Sequence, residues 1–308
     1  MIRISTKGMT REEWLKLRQT GIGGSDAGAI CGLNPYSSPM TVYRDKTGDY
    51  LEDVDNESMR QGRDLEDYVA RRFCEETGLK VRRTHQMYRS EEHPFMLANV
   101  DRVIVGQDAG LECKTANAYQ ADKWKDGKIP PHYLLQCLHY MAVTGKRTWY
   151  IAVVILGIGF QYRQIHWDDR VIQKLIAVER AFWTEHVLRG IMPTPDGSKA
   201  CDEVLSGYFR TARAGSEIAL VGFDEKLERW ETVTQQVRAL ETEQKQIEQE
   251  IKLYLKDNEA AASERYRVSW KNVDKQGLDV KRIKSEHPEI YEAFATVSHY
   301  RRLQIHAA

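Results

Sequence analysis

Long apolar runs are missing from this chain. The longest, "WYIAVVILGIGF", is too short and too broken by glycine to span a bilayer. The amino terminus lacks the apolar core of a signal peptide, so no membrane anchor is expected. Net charge is missing as well: 45 Lys and Arg balance 45 Asp and Glu over 308 residues. Such a balance neither announces nor excludes a nucleic-acid partner, because even totals can hide a local basic groove. Cysteine is sparse. Cys31, Cys74, Cys113, Cys137 and Cys201 are an odd set with no C-x-x-C spacing, which argues against a disulfide framework and a zinc knuckle and fits a reducing cytoplasm. The nine histidines form no H-x-x-x-H pair, so they are not read as metal ligands. Repeats and low-complexity segments are absent too.

What is there is 42% apolar residues, enough for a real core. A loop-rich entry, "RQTGIGGSDAGAICGLNPYSSPMTVYRDKTGDY", holds short helical pieces, with Ser38-Pro39 as a helix start and Gly48 as a stop. After the acidic stretch "DYLEDVDNES" a helix is predicted from about Glu57 to Thr77, closed by Gly78. Strands follow in "KVRRTHQMYR", "FMLANVDRVIV", "GLECKT", "TWYIAVVIL" and "GFQYRQIHW", with the helical "PHYLLQCLHYMAVTG" between the third and fourth. A long helix from about Asp168 to Arg189 closes this part. The order favours an α/β or α+β fold, a sheet flanked by helices.

The composition shift at "GIMPTPDGSKACDE" places a domain boundary near residue 195, giving regions 1–195 and 196–308. From Trp230, the residues Val233, Val237, Leu240, Gln244, Ile247, Ile251 and Tyr254 recur three and four apart. This heptad-like seam fits either a helical hairpin arm on its own domain or an intermolecular coiled coil. The tail is read as a strand at "RYRVSWKNV", a helix at "EHPEIYEAFA" and a last strand at "HYRRLQIH".

The stretch "NVDRVIVGQDAGLECKT" sets three charges into a hairpin that otherwise reads as buried. Strand alternation puts Asp101 on one face with Phe95, Leu97, Asn99, Val103 and Val105, and puts Glu112 and Lys114 together on the next strand. Converging, they suit a hard divalent cation with a lysine beside its water; apart, they are an ordinary cross-strand salt bridge. Glu66 falls on the stripe Met59, Gly62, Glu66, Val69, Phe73, where a leucine is expected, so it must be paired, for example with Arg63, or be a ligand. Gln136 shares a helix face with Tyr133, Tyr140 and Val143, where it could contact a substrate or satisfy a backbone carbonyl. Upstream, "LRQTGIGGSDAGAI" sets Arg18 before small residues and before Ser25 and Asp26 at a helix start. This is an anion site or a plain capped turn, and neither a P-loop nor a G-x-G-x-x-G fingerprint.

Taken in order, "LRQTGIGGSDAGAICGLNPY", "RQGRDLEDYVARRF", "NVDRVIVGQDAGLECKT" and "YLLQCLHYMAVTG" resemble the YqaJ family of viral recombinases over about residues 10–190. These are phage exonucleases related to lambda exonuclease, within the PD-(D/E)xK nuclease superfamily. The resemblance implies that Asp101, Glu112 and Lys114 are the catalytic set, with Glu66 and Gln136 as the helical glutamate and glutamine before and after it. It implies one or two Mg²⁺ ions, replaceable by Mn²⁺, held by Asp101, Glu112, the Cys113 carbonyl and Glu66. Arg18 and Ser25, with Gly24 beside them, would receive the 5′-phosphate of a DNA end. The residue before Asp101 is Val100, not the proline that names the superfamily. The implied activity is 5′-to-3′ degradation of one strand of linear duplex DNA, leaving tails for a phage single-strand annealing protein. A structure- or site-selective endonuclease with the same metal core is the alternative, and a non-catalytic DNA-end or protein adaptor a third. A homo-oligomer is expected, a ring being one form, in the cytoplasm of a bacterial host. Basic residues Lys80, Arg82, Arg83 and Arg89 could track a DNA backbone or sit on a solvated strand edge.

Overall fold

Local capping chemistry sets the first elements of the computed structural model, which describes residues 1–48 and 56–306. After β1 (Ile2–Ser5), a capping box opens α1 (Arg11–Gln19): the Glu13 amide donates to Thr10 Oγ1 at 3.2 Å and the Thr10 amide to Glu13 Oε2 at 2.8 Å. β2 (Ile22–Gly23) leads straight into α2 (Gly24–Ile30). α3 (Pro39–Thr47) starts and stops where the sequence says, with Ser38 Oγ accepting from the Thr41 amide at 3.1 Å and Gly48 at the far end. The acidic stretch that follows lies, up to Asp55, outside the described residues. α4 (Glu57–Thr77) is capped by Asn56 and closed by Gly78 at φ 71°, a left-handed turn that glycine adopts without strain. Its lower stripe, Val69 and Phe73, is fully buried, whereas Met59 at the top is exposed and Glu66 lies between.

Two segments read as single strands each divide between sheets. "KVRRTHQMYR" becomes β3 (Val81–Arg82) and β4 (Gln86–Arg89), separated at His85, whose φ is 51°. "FMLANVDRVIV" becomes β5 (Met96–Asn99) and β6 (Arg102–Ile104), separated at Val100–Asp101. The strand β7 (Ala109–Ala116), the 3-10 turns Ala118–Gly127 and the helix α5 (Pro131–Thr144) follow. β8 (Thr148–Ile155) and β9 (Gly159–His166) complete a five-stranded sheet of order β3-β6-β7-β8-β9, and β1-β4-β5-β2 form a second sheet. β7 and β8 are parallel and every other pair in the five-stranded sheet is antiparallel, so the sheet is mixed. Because the strand stops before Asp101, the expected alternation from Phe95 through Val105 does not hold.

β8 is apolar along its whole length because helices cover both faces. Trp149, Ile151, Val153 and Ile155 join the cluster under α5 and α6 (Asp169–Phe182); Tyr150, Ala152 and Val154 meet Val69 and Phe73 of α4. This is the predicted helix-flanked mixed sheet. α6 continues through a π-helical turn, Trp183–Leu188. α7 (Lys199–Tyr208) buries Cys201 and Val204 against Met40 of α3. That contact carries the first compact unit to Phe209, past the boundary expected near residue 195. The proline-rich stretch there is a loop within the unit.

The second unit, Arg210–Ala308, holds α8 (Asp224–Leu255), the hairpin β10 (Ala260–Ala262) and β11 (Arg267–Ser269), α9 (Val280–Glu286) and α10 (Pro288–Phe294). α8 is one uninterrupted helix, not a helical hairpin, and its seam residues Val233, Val237, Leu240 and Ile247 are exposed. The last strand expected at "HYRRLQIH" does not form, since it has no neighbouring strand to pair with among the described residues.

Candidate active site

Asp101 occupies the break between β5 and β6, where the chain leaves one sheet for the other. Its Oδ2 accepts from the Cys113 amide of β7 at 2.8 Å, which fixes the carboxylate over the neighbouring strand. Glu112 stands next on β7 and is buried. Its Oε1 accepts from Lys114 Nζ at 2.6 Å and from Gln136 Nε2 of α5 at 2.7 Å, while its Oε2 is buried with no partner. Gln136 also donates to the Tyr140 hydroxyl at 2.9 Å, so the amide is locked between two acceptors. Lys114 Nζ lies 4.7 Å from the centre of the Tyr133 ring. Asp101, Glu112, Lys114 and Gln136 thus come together as the sequence suggests.

The electrostatics follow from this crowding. Burial pushes the Asp101 carboxyl well above the usual range, and the charges of Glu112 and Glu66 push it further; Lys114 and the Cys113 amide only partly offset them. Burial alone would lower the Lys114 ammonium, but the facing Glu112 and Asp101 more than reverse this and hold it charged. Two carboxylates share the Lys114 ammonium, and one of them keeps a buried oxygen without a partner among the described residues.

Glu66 reaches this centre differently from expectation. Its Oε1 pairs with Arg102 Nη1 and, at 3.2 Å, with Arg83 Nη2. Arg102 is itself buried and donates to the Asp101 carbonyl at 2.7 Å. The glutamate on the helical stripe is therefore neutralised from the sheet, which leaves a pairing with Arg63 unnecessary for its charge. Among the described residues no three His, Cys, Asp or Glu side chains gather as a ready metal-ligand set. All five cysteines are free thiols.

The glycine-rich opening builds a second cluster. Arg18 Nη2 donates to Ser25 Oγ at 3.1 Å, joining the end of α1 to the first turn of α2. Asp26 does not face outward. It accepts from the Gly23 amide at 2.8 Å and from Lys46 Nζ at 2.7 Å, and lies 3.6 Å from Arg18 Nη2. Burial would raise its carboxyl, yet Lys46 and Arg18 outweigh it and hold the group down to about 2. Gly24 is needed for packing: a Cβ there would come within 2.5 Å of the Tyr140 ring.

The two clusters share one cavity of about 170 Å³, lined by Arg18, Gly24, Ser25, Asp101, Gln136 and Tyr140, among others. Trp14 also lines it, flanked by the guanidinium groups of Arg11 at 4.6 Å and Arg18 at 4.9 Å. Asp26, expected at the helix start, turns inward to cap it; sequence reasoning missed Trp14 and Lys46. The spacing Arg11, Trp14, Arg18, three and then four apart on one helix face, was the available signal for the first. Lys46 had none, because its partner lies in another element.

A mixed sheet covered by helices, with an aspartate at a strand break and a Glu-x-Lys pair along the adjoining strand, defines the PD-(D/E)xK nuclease fold. The chain belongs within it to the YqaJ-like viral recombinase family, whose domain it matches over residues 13–147. It is 38% identical over 301 residues to the uncharacterized protein YqaJ of Bacillus subtilis (strain 168), covering 96% of this chain and 94% of that one. Its fold is similar to that of the alkaline exonuclease LHK-Exo of Laribacter hongkongensis, with a TM-score of 0.51 at 19% identity over 65% of this chain and 100% of the other. The dAMP complex of LHK-Exo gives a TM-score of 0.50 at 20% identity, covering 65% and 96% of the two chains.

Proposed function

We propose that this protein is a Mg²⁺-dependent DNA exonuclease that degrades one strand of linear duplex DNA from its 5′ end. The observation that carries this reading is the single cavity joining the Arg18–Ser25 cluster to Asp101 and Gln136. A site for a terminal phosphate then sits beside a site for cleavage, which an endonuclease does not need.

The residues present fit a divalent cation, because two crowded carboxylates share the Lys114 ammonium and the buried Oε2 of Glu112 has no partner among the described residues. Asp101 and Glu112, with the Cys113 carbonyl, would hold it, and it supplies Lewis-acid polarisation of the scissile phosphate and a more acidic bound water. Lys114 would orient the attacking water and offset charge developing on the phosphate. Gln136 fixes Glu112 by occupying Oε1, which leaves Oε2 for the ion. Glu66 acts through Arg102, which grips the Asp101 carbonyl, rather than as a ligand. Arg18, Ser25 and the Gly24 amide receive the terminal 5′-phosphate, so that each cut is measured from the strand end. The single-stranded tails left behind suit an annealing protein, and the chain would meet DNA in a bacterial cytoplasm.

The test is degradation of linear and circular duplex DNA, the linear form with 5′-phosphate or 5′-hydroxyl ends, with and without Mg²⁺. The wild type should degrade phosphorylated linear duplex only with Mg²⁺ and leave circles intact, and Lys114→Ala should be inactive. Equal activity of the two proteins, or cutting of circles, would overturn the reading.

A further inference from the structure

Lys46 is an unusual residue for the end of a surface helix. Its side chain is 4% exposed, and its Nζ divides between two acceptors: Asp26 Oδ2 at 2.7 Å and the backbone carbonyl of Arg18 at 3.0 Å. That carbonyl belongs to the last turn of α1, where helical partners run out. Gln19 reinforces the junction, its Nε2 donating to the carbonyls of Asp45 at 3.2 Å and Gly48 at 3.1 Å. The C-terminal ends of α1 and α3 and the start of α2 are thus tied together at one ammonium group.

The arrangement solves a charge problem. Asp26 lies beside Arg18 and Ser25, and an unpaired carboxylate there would consume the charge of Arg18 and repel an incoming phosphate. With Lys46 present, Asp26 is shared between two cations, so Arg18 does not have to neutralise it alone. We propose that Lys46 is a positioning residue for recognition of the 5′-phosphate: it takes up the charge of Asp26 and holds the backbone of Arg18, leaving the Arg18 guanidinium for the DNA end. The inference rests on the end-recognition reading above.

The experiment measures kcat and KM on duplexes with 5′-phosphate and 5′-hydroxyl ends. The proteins are wild type, Lys46→Met, Lys46→Arg, Asp26→Asn and Asp26→Asn/Lys46→Met, each checked by thermal melting. Lys46→Met should lose about tenfold of the preference for phosphorylated ends, the scale of one charge-assisted hydrogen bond, and mainly through KM. Lys46→Arg should keep most of it. Adding Asp26→Asn to Lys46→Met should restore preference, because the uncompensated carboxylate is gone; a lysine that only holds the fold predicts recovery of the melting temperature with no change in preference in folded Lys46→Met. Full preference in Lys46→Met, or no gain from Asp26→Asn, overturns the proposal. Should Lys46→Met not fold, the double variant decides: preference kept supports the inference and preference lost overturns it. A wild type indifferent to the 5′ group would instead sink the end-recognition reading itself.

Discussion

Gln136 Nε2 donates to Glu112 Oε1 at 2.7 Å, across 24 residues of chain, and the other oxygen of that carboxylate is buried without a partner. The helix side chain selects which oxygen of the strand carboxylate remains available. Gln136→Leu removes the donor and keeps the volume. Mg²⁺ affinity, read as half-saturation of nuclease activity, should fall about 10–100-fold, the usual cost of losing a group that orients a ligand. An unchanged Mg²⁺ requirement would mean that Gln136 does not orient Glu112.

Asp101 is raised first by burial and then by Glu112 and Glu66. A carboxyl whose folded pKa lies above its unfolded value destabilises the fold when ionised, so stability falls as pH rises above about 4 toward the folded pKa. Asp101→Asn keeps an acceptor for the Cys113 amide and removes the repulsion. It should melt higher than wild type at pH 7, by about 2–4 °C for each kcal/mol gained, while losing activity. Mg²⁺ should raise the melting temperature of wild type more than that of the variant.

The buried pair His139 and Glu179 joins α5 to α6, Nδ1 to Oε1 at 2.8 Å, and His139 Nε2 donates to the Leu97 carbonyl of β5 at 2.9 Å. Burial would lower the imidazole, but Glu179 and the Leu97 carbonyl raise it above its ordinary value. Its contribution is therefore full below about pH 6.5 and is lost as pH rises through the folded value. His139→Leu leaves a buried carboxylate alone and should cost about 3–5 kcal/mol in urea unfolding at pH 6. Pairing it with Glu179→Met should recover most of that loss.

Asp26 is held down to about 2, so its stabilisation is present above the ordinary carboxyl value near 4 and is lost as pH falls from there toward 2. Asp26→Asn should be less stable than wild type by about 2 kcal/mol at pH 7, with the gap narrowing below pH 4. A gap that stays constant with pH would show that shape, not charge, matters at this position.

Arg18→Ala removes the guanidinium that bonds Ser25 Oγ. The rate on 5′-phosphorylated ends should fall at least tenfold, with KM carrying most of the change. Rates that no longer distinguish phosphate from hydroxyl identify the anion site; an unaltered ratio would place end recognition elsewhere.

The elements legible in the sequence are those whose causes are local. Ser38-Pro39, Asn56 and Gly78 mark helix ends because caps bond to amides three residues away or require a left-handed turn. The apolar run of β8 reads as a strand from its β-branched and aromatic residues, and the Glu-x-Lys spacing puts Glu112 and Lys114 on one face. The ordered motifs placed Gln136, Arg18 and Ser25 beside them. By itself, then, the sequence determined the sheet flanked by helices and the grouping of Glu112 with Lys114 on one strand face.

Only the tertiary structure decided where "FMLANVDRVIV" breaks, because each half pairs with a different sheet, and strand partners are chosen across long separations. The same holds for Glu66, which an arginine on the sheet claims, and for Lys46, whose carboxylate lies on another helix. Buried charge must be compensated by whatever the fold brings within reach, and no spacing along the chain records which group that will be.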